Sequence, residues 1–200
     1  MRLVVGISGA SGAIYGIRAL EVLRELGVET HLVLTAGARA TIAYETEYDT
    51  ERVKELASVV HNEQNLGGAI ASGSFRTDGM LVAPCSVKSL SGIANSYDDN
   101  LLIRAADVVL KERRKLVLMV RESPLHAGHL RLMSQATENG AVILPPMPAF
   151  YHQPRTIADL VDQGVGKALD QFGLDAGLFD RWEGSAKAGR EAKLRRDGDE

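Results

Sequence analysis

A run near the start of the chain, Gly6-Ile7-Ser8-Gly9-Ala10-Ser11-Gly12-Ala13, has the composition of a ligand-binding loop. Its glycines let the backbone approach a bound molecule, and the N–H groups at the start of a following helix favour an anion. Ser8 and Ser11 add hydroxyls. The spacing is not the G-x-G-x-x-G dinucleotide fingerprint, because positions 8 and 11 are serines. It is not a Walker A loop, because no Lys-Ser/Thr pair follows the last glycine. A dinucleotide fold also places an acid after its second strand, where this chain has Thr35-Ala36-Gly37. Hydroxyl and small residues there suit a phosphate or a flat ring. Phosphate or mononucleotide binding is the chemistry this loop implies.

Two further segments carry polar groups. In Pro84-Cys85-Ser86-Val87-Lys88-Ser89, Ser86, Ser89 and backbone N–H groups can hold a second polar group, or Ser86 can simply cap a helix. Cys85 is read as a small buried residue rather than a nucleophile. Arg121 and Glu122 can clamp an oxygen anion and move a proton, or form an ordinary ion pair at a rim. His126 and His129 have i,i+3 spacing but no accompanying carboxylate or cysteine cluster, so no metal is expected. His31, His61 and His152 stand alone. Arg104 and Lys111 share one helical face two turns apart and read by themselves as solvated.

These segments need strands to aim them. Apolar runs predict strands at 3–7, 31–34, 80–83, 116–120 and 141–144, with helices at 13–26, 87–94, 101–114, 130–139 and 157–172. Gly27 is the natural end of the first helix. Continuous apolar strands alternating with helices imply an α/β fold: one doubly wound, Rossmann-like parallel sheet covered on both faces. Ligands of such sheets bind beyond the carboxyl ends of the strands, where the loops above fall.

Composition narrows the function classes. Two hundred residues are enough for one domain with a real core. A net charge of −3 gives no basic field for nucleic acid or a membrane surface. The single cysteine excludes an internal disulfide framework. No apolar run reaches about 18 residues, and no signal-peptide pattern opens the chain, so a soluble cytoplasmic protein is expected. Residues 1–183 read as the domain and 184–200 as a charged, solvated tail.

Five ordered motifs resemble the UbiX-type flavin prenyltransferases. They are the segments 6–16, 83–93 (Ala-Pro-Cys-Ser-Val-Lys-Ser-Leu-Ser-Gly-Ile), 104–112, 121–126 (Arg-Glu-Ser-Pro-Leu-His) and 145–151 (Pro-Pro-Met-Pro-Ala-Phe-Tyr). The resemblance implies transfer of a dimethylallyl group from dimethylallyl phosphate to N5 and C6 of reduced FMN, without metal. The product, prenylated FMN, would serve a UbiD-type decarboxylase of aromatic and unsaturated acids. It also implies a large homo-oligomer, such as a dodecamer, with active sites at subunit interfaces. By position, Gly9, Ala10, Ser11, Thr35, Ser86, Val87, Lys88, Ser89 and Arg121 would bind FMN. Tyr151 and Lys167 would hold the prenyl phosphate. Ser11, Glu45, Arg104, Lys111, Glu122 and Trp182 would line the site and act in catalysis. Ser89 stands where many members have threonine and keeps the hydroxyl. Other readings are an FMN-binding subunit of a hydroxyarylic acid decarboxylase complex, a cysteine-type flavin decarboxylase and a flavodoxin-like carrier.

Overall fold

The computed structural model describes residues 1–182 and Gly184, so the expected tail lies almost wholly outside the described residues. Six parallel strands form one sheet: β1 (Arg2–Ile7), β2 (Glu29–Leu34), β3 (Val59–His61), β4 (Gly79–Cys85), β5 (Lys115–Val120) and β6 (Ala141–Ile143). Their order is β3-β2-β1-β4-β5-β6, which is the doubly wound α/β arrangement. The chain leaves β1 towards β2 on one side and returns to β4 on the other. The crevice this reversal opens lies beyond Ile7 and Cys85.

Among the described residues six α-helices connect the strands and a seventh follows β6: α1 (Ala13–Glu25), α2 (Ala36–Glu45), α3 (Thr50–Glu55), α4 (Val87–Ala94), α5 (Leu101–Lys111), α6 (Ala127–Glu138) and α7 (Ile157–Asp170). Alternation along β1 divides the core. Leu3, Val5 and Ile7 face α1 and α7, including Ile17, Leu20, Val165 and Leu169. Val4 faces the opposite side with Leu90, Ile93, Leu102 and Ala106 of α4 and α5. Both faces are dry, so the strands need no polar face.

All five expected strands form. α1 ends at Glu25, and Gly27 follows with φ 67°, the left-handed backbone a helix-terminating glycine supplies. α5 stops at Lys111 rather than 114, because Arg113 takes φ 58°. α6 starts at Ala127, earlier than expected, because His126 caps it. The pattern did not predict α2, α3 or β3. α2 buries only Ala38 and Ile42, too narrow a stripe to stand out, and β3 has three residues. Among the described residues no helix is long and apolar enough to cross a membrane.

Candidate active site

Strand ends place three loops side by side. Ser8, 1% exposed, joins the first and third: its Oγ donates to the Pro84 carbonyl at 2.9 Å and accepts the Ser86 N–H at 2.7 Å. Ser8 is therefore a clamp between loops and not the ligand donor its sequence position suggested. A Cβ on Gly9 would lie 2.8 Å from the Cα of Gly37, so the loops after β1 and β2 touch backbone to backbone. Such an approach is open only to glycine.

The hydroxyls beyond β2 and β4 cap helices. Thr35 accepts the Ala38 N–H at 3.1 Å, and Ser86 accepts the Ser89 N–H at 3.2 Å. The capping reading of Ser86 holds, and Ser86 lines the cavity as well. α1 lacks a cap of its own, since its N-cap is Gly12. Glu45 supplies one from the end of α2, with Oε2 2.7 Å from the Gly12 nitrogen and 3.4 Å from that of Ala13.

Between these loops lies a cavity of about 620 Å³. All nine residues expected to bind FMN line it: Gly9, Ala10, Ser11, Thr35, Ser86, Val87, Lys88, Ser89 and Arg121. So does Glu122. The Arg121 N–H donates to the Cys85 carbonyl at 3.1 Å. Its guanidinium makes no hydrogen bond or ion pair with the described residues. The Glu122 carboxylate instead accepts the Ser123 N–H at 3.0 Å, so no rim ion pair forms. Lys88 is 3.1 Å from Asp99. The volume lies in the range of small-molecule sites, which is about 300–1,000 Å³. Small residues at Gly9, Ala10 and Gly37, helix N-termini and a guanidinium without a partner among the described residues fit a flat ring carrying a phosphate.

The other expected site residues are not brought to this cavity within one chain. Arg104 binds Asp98 at 3.0 Å, Asp107 at 3.2 Å and the Ala71 carbonyl at 3.2 Å. Lys111 pairs with Glu112 at the far end of α5, about 16 Å from its start at 1.5 Å per residue. Tyr151 and Trp182 meet edge to face at 6.2 Å, both exposed. Lys167 lies on α7, 3.7 Å from Asp170, which also holds Arg181 at 2.7 Å. Tyr151, Lys167 and Trp182 thus belong to the C-terminal part of the chain and do not line the cavity.

Ala36 and Gly37, expected beside Thr35, also line the cavity, and the sequence reading missed Glu63, Gln64, Asp99 and Asn100 as parts of its wall. Asn100 carries a legible signal as the cap of α5, accepting the Ile103 N–H at 3.1 Å. Glu63 carries none, because β3 before it was not seen. Cys85 is fully buried, and burial pushes its thiol up to about 12, which makes it inert. The expectation that His31 and His61 stand alone is corrected: His31 Nδ1 is 2.8 Å from His61 Nε2. His126 and His129 stack at 3.6 Å and cap α6.

The Flavoprotein family profile matches residues 1–171. A flavin prenyltransferase UbiX from Thauera aromatica is 65% identical over 185 residues, 92% of this chain and 95% of that one. The crystal structure of AnUbiX (PadA1) with FMN and dimethylallyl pyrophosphate superposes with a TM-score of 0.91 at 53% identity, over 92% of this chain and 98% of that one. A dodecameric FMN-dependent UbiX-like decarboxylase from Escherichia coli O157:H7 gives 0.90 at 51% identity, over 92% and 100%. These matches span the cavity loops as well as the sheet, and the chain belongs to the UbiX family of flavin prenyltransferases.

Proposed function

We propose that this chain joins a dimethylallyl group from dimethylallyl phosphate to reduced FMN and delivers prenylated FMN to a UbiD-type decarboxylase. The observation that carries this reading is the single cavity wall formed by all nine expected flavin-binding residues. Bound reduced FMN would supply the nucleophilic positions N5 and C6 between which the five-carbon unit closes a ring.

The chain's own residues supply position and charge. Gly9 and Gly37 let the loops after β1 and β2 pack together under the ligand, and Thr35 and Ser86 cap the helices that start beside it. The unpaired Arg121 guanidinium is free to meet an oxygen anion, and Glu122 beside it is the proton acceptor. Breaking the allylic C–O bond leaves both electrons on phosphate, so cations and a hydroxyl must face that oxygen. Lys167 and Tyr151 suit this task, with Arg104 and Lys111 in support. The Trp182 and Tyr151 rings suit the positive charge that develops on the allylic carbon. Glu45 holds the α1 loop that carries Ser11.

Because one chain separates these groups from its own cavity, the complete site is shared between copies in a homo-oligomer. The dodecameric relative supports that reading. The 1–183 domain is the catalytic unit, and a cytoplasmic location suits the water-soluble partners. A passive FMN-binding subunit would need none of the phosphate-handling residues Arg104, Lys111, Tyr151 and Lys167. The test is a transfer assay. Filtrate from an anaerobic incubation of the protein with reduced FMN and dimethylallyl phosphate is added to a cofactor-free UbiD-type decarboxylase. Decarboxylation of an aromatic acid is expected, and an inactive decarboxylase would refute the proposal.

A further inference from the structure

Glu63 is a carboxylate with 8% side-chain exposure in the wall of a cavity meant for an anion. Burying a charge there has a cost that must be offset by partners. Its Oε2 accepts the Ala36 N–H at 3.0 Å, the first free donor of α2. Its Oε1 accepts from the Arg39 guanidinium at 2.8 Å, while Arg39 also donates to the Leu34 carbonyl at 3.1 Å. Its own carbonyl accepts the Leu101 N–H at 2.7 Å, the first donor of α5. One residue therefore caps two helices, by side chain and by main chain, and both helices begin in the cavity wall.

We infer that Glu63 and Arg39 form a positioning pair that sets the flavin cleft of this chain. The inference rests on the flavin reading above. Glu63 fixes the distance between the Thr35–Gly37 turn and the Asn100 turn, which form one side of the cleft. Gln64, the next residue, lines the same side. Arg39 holds the carboxylate in place and neutralises it, so an incoming phosphate does not face a bare negative charge. Neither side chain acts on the reacting atoms.

The test measures FMN binding, riboflavin binding and both KM values for the wild type, Glu63→Ala, Arg39→Ala, the double variant and Glu63→Gln. Glu63→Ala is expected to weaken FMN and riboflavin alike, by roughly ten-fold for the lost charged hydrogen bonds. Its KM for dimethylallyl phosphate should stay unchanged. Arg39→Ala should weaken FMN more than riboflavin, because it leaves Glu63 uncompensated. In the double variant the FMN penalties should be less than additive. Glu63→Gln keeps one acceptor for Ala36 N–H and should recover part of the riboflavin affinity even if Glu63→Ala folds poorly. Wild-type flavin affinity in both Glu63 variants, or strictly additive penalties, would overturn the pair. A wild type that binds no FMN would overturn the flavin reading along with it.

Discussion

At the residue scale, the two clearest groups are Arg121 and the glycine pair. Arg121 is a cation in the cavity wall without a partner among the described residues, in a chain where most other cavity charges are paired. Arg121→Ala should raise the requirement for FMN or for the prenyl phosphate by roughly ten- to a hundred-fold, the worth of a charge-assisted contact. Steady-state kinetics check this, and an unchanged KM for both would remove Arg121 from binding. Gly9→Ala would drive a Cβ against the Gly37 backbone at 2.8 Å. FMN affinity should fall although the new methyl carries no charge, which calorimetry can read. These residues were legible in the sequence because they sit in loops of unusual composition. Ser8 was misjudged for the same reason: a serine in such a loop looks like a ligand donor, and only the fold shows its hydroxyl bonded to Pro84 and Ser86. Glu63 was not legible, since its partners Ala36, Arg39 and Leu101 come from distant parts of the chain.

At the element scale, β1, β4, β5, β6 and the helices after β1, β4 and β5 were readable from apolar runs and periodicity, whereas the β3 edge of the sheet was not. β3 consists of Val59, Val60 and His61, all partly exposed, and a half-exposed strand of three residues has no pattern to detect. A network around the buried His31 ties this edge down. The Glu29 carboxylate only accepts, so His31 Nε2, 2.9 Å away, donates to it. With Nε2 the donor, His31 Nδ1 accepts, and His61 Nε2 donates. Burial first, then the neighbouring His31, lowers the proton affinity of His61. Arg2 first, then His31, holds the Glu29 carboxyl down at about 2. The signs give two steps. The contribution of His61 is whole above its ordinary value of 6.5 and falls as pH drops below it, because the unfolded chain takes the proton more readily. That of Glu29 is whole above 4.5 and is lost as pH falls towards about 2. His61→Gln keeps an N–H donor for His31 without titrating. It should flatten the loss of Tm between about pH 7 and about pH 5.5 and leave the lower step in place. A wild-type slope in that variant would show that His61 does not set it. The packing of α1 on β4 offers a sharper test of stability: a Cβ on Gly16 would lie 2.2 Å from the Ala83 carbonyl oxygen. Gly16→Ala should cost about 3 kcal/mol by overpacking, read from urea unfolding.

At the scale of the whole molecule, the sheet order and both faces of the core follow from the alternation of apolar strands and amphipathic helices. The site follows only in part. One chain gathers the cavity-lining half and leaves Tyr151, Lys167 and Trp182 on the C-terminal part, and the proposed function brings their neighbours from other copies. Composition alone does not encode that sharing, and the family resemblance does. Two inactive variants should therefore complement each other. Glu122→Gln and Lys167→Ala, each slow as a homo-oligomer, should regain activity when unfolded and refolded as a mixture. Activity no higher than the mean of the two parents would place both residues in one chain's site. The most direct measurement is an anaerobic incubation of the wild type with reduced FMN and dimethylallyl phosphate, followed by mass spectrometry of the released flavin. A flavin heavier by one five-carbon prenyl unit is expected. Unmodified FMN, recovered in stoichiometric amount with the monophosphate donor and again with the diphosphate, would contradict a prenyltransferase.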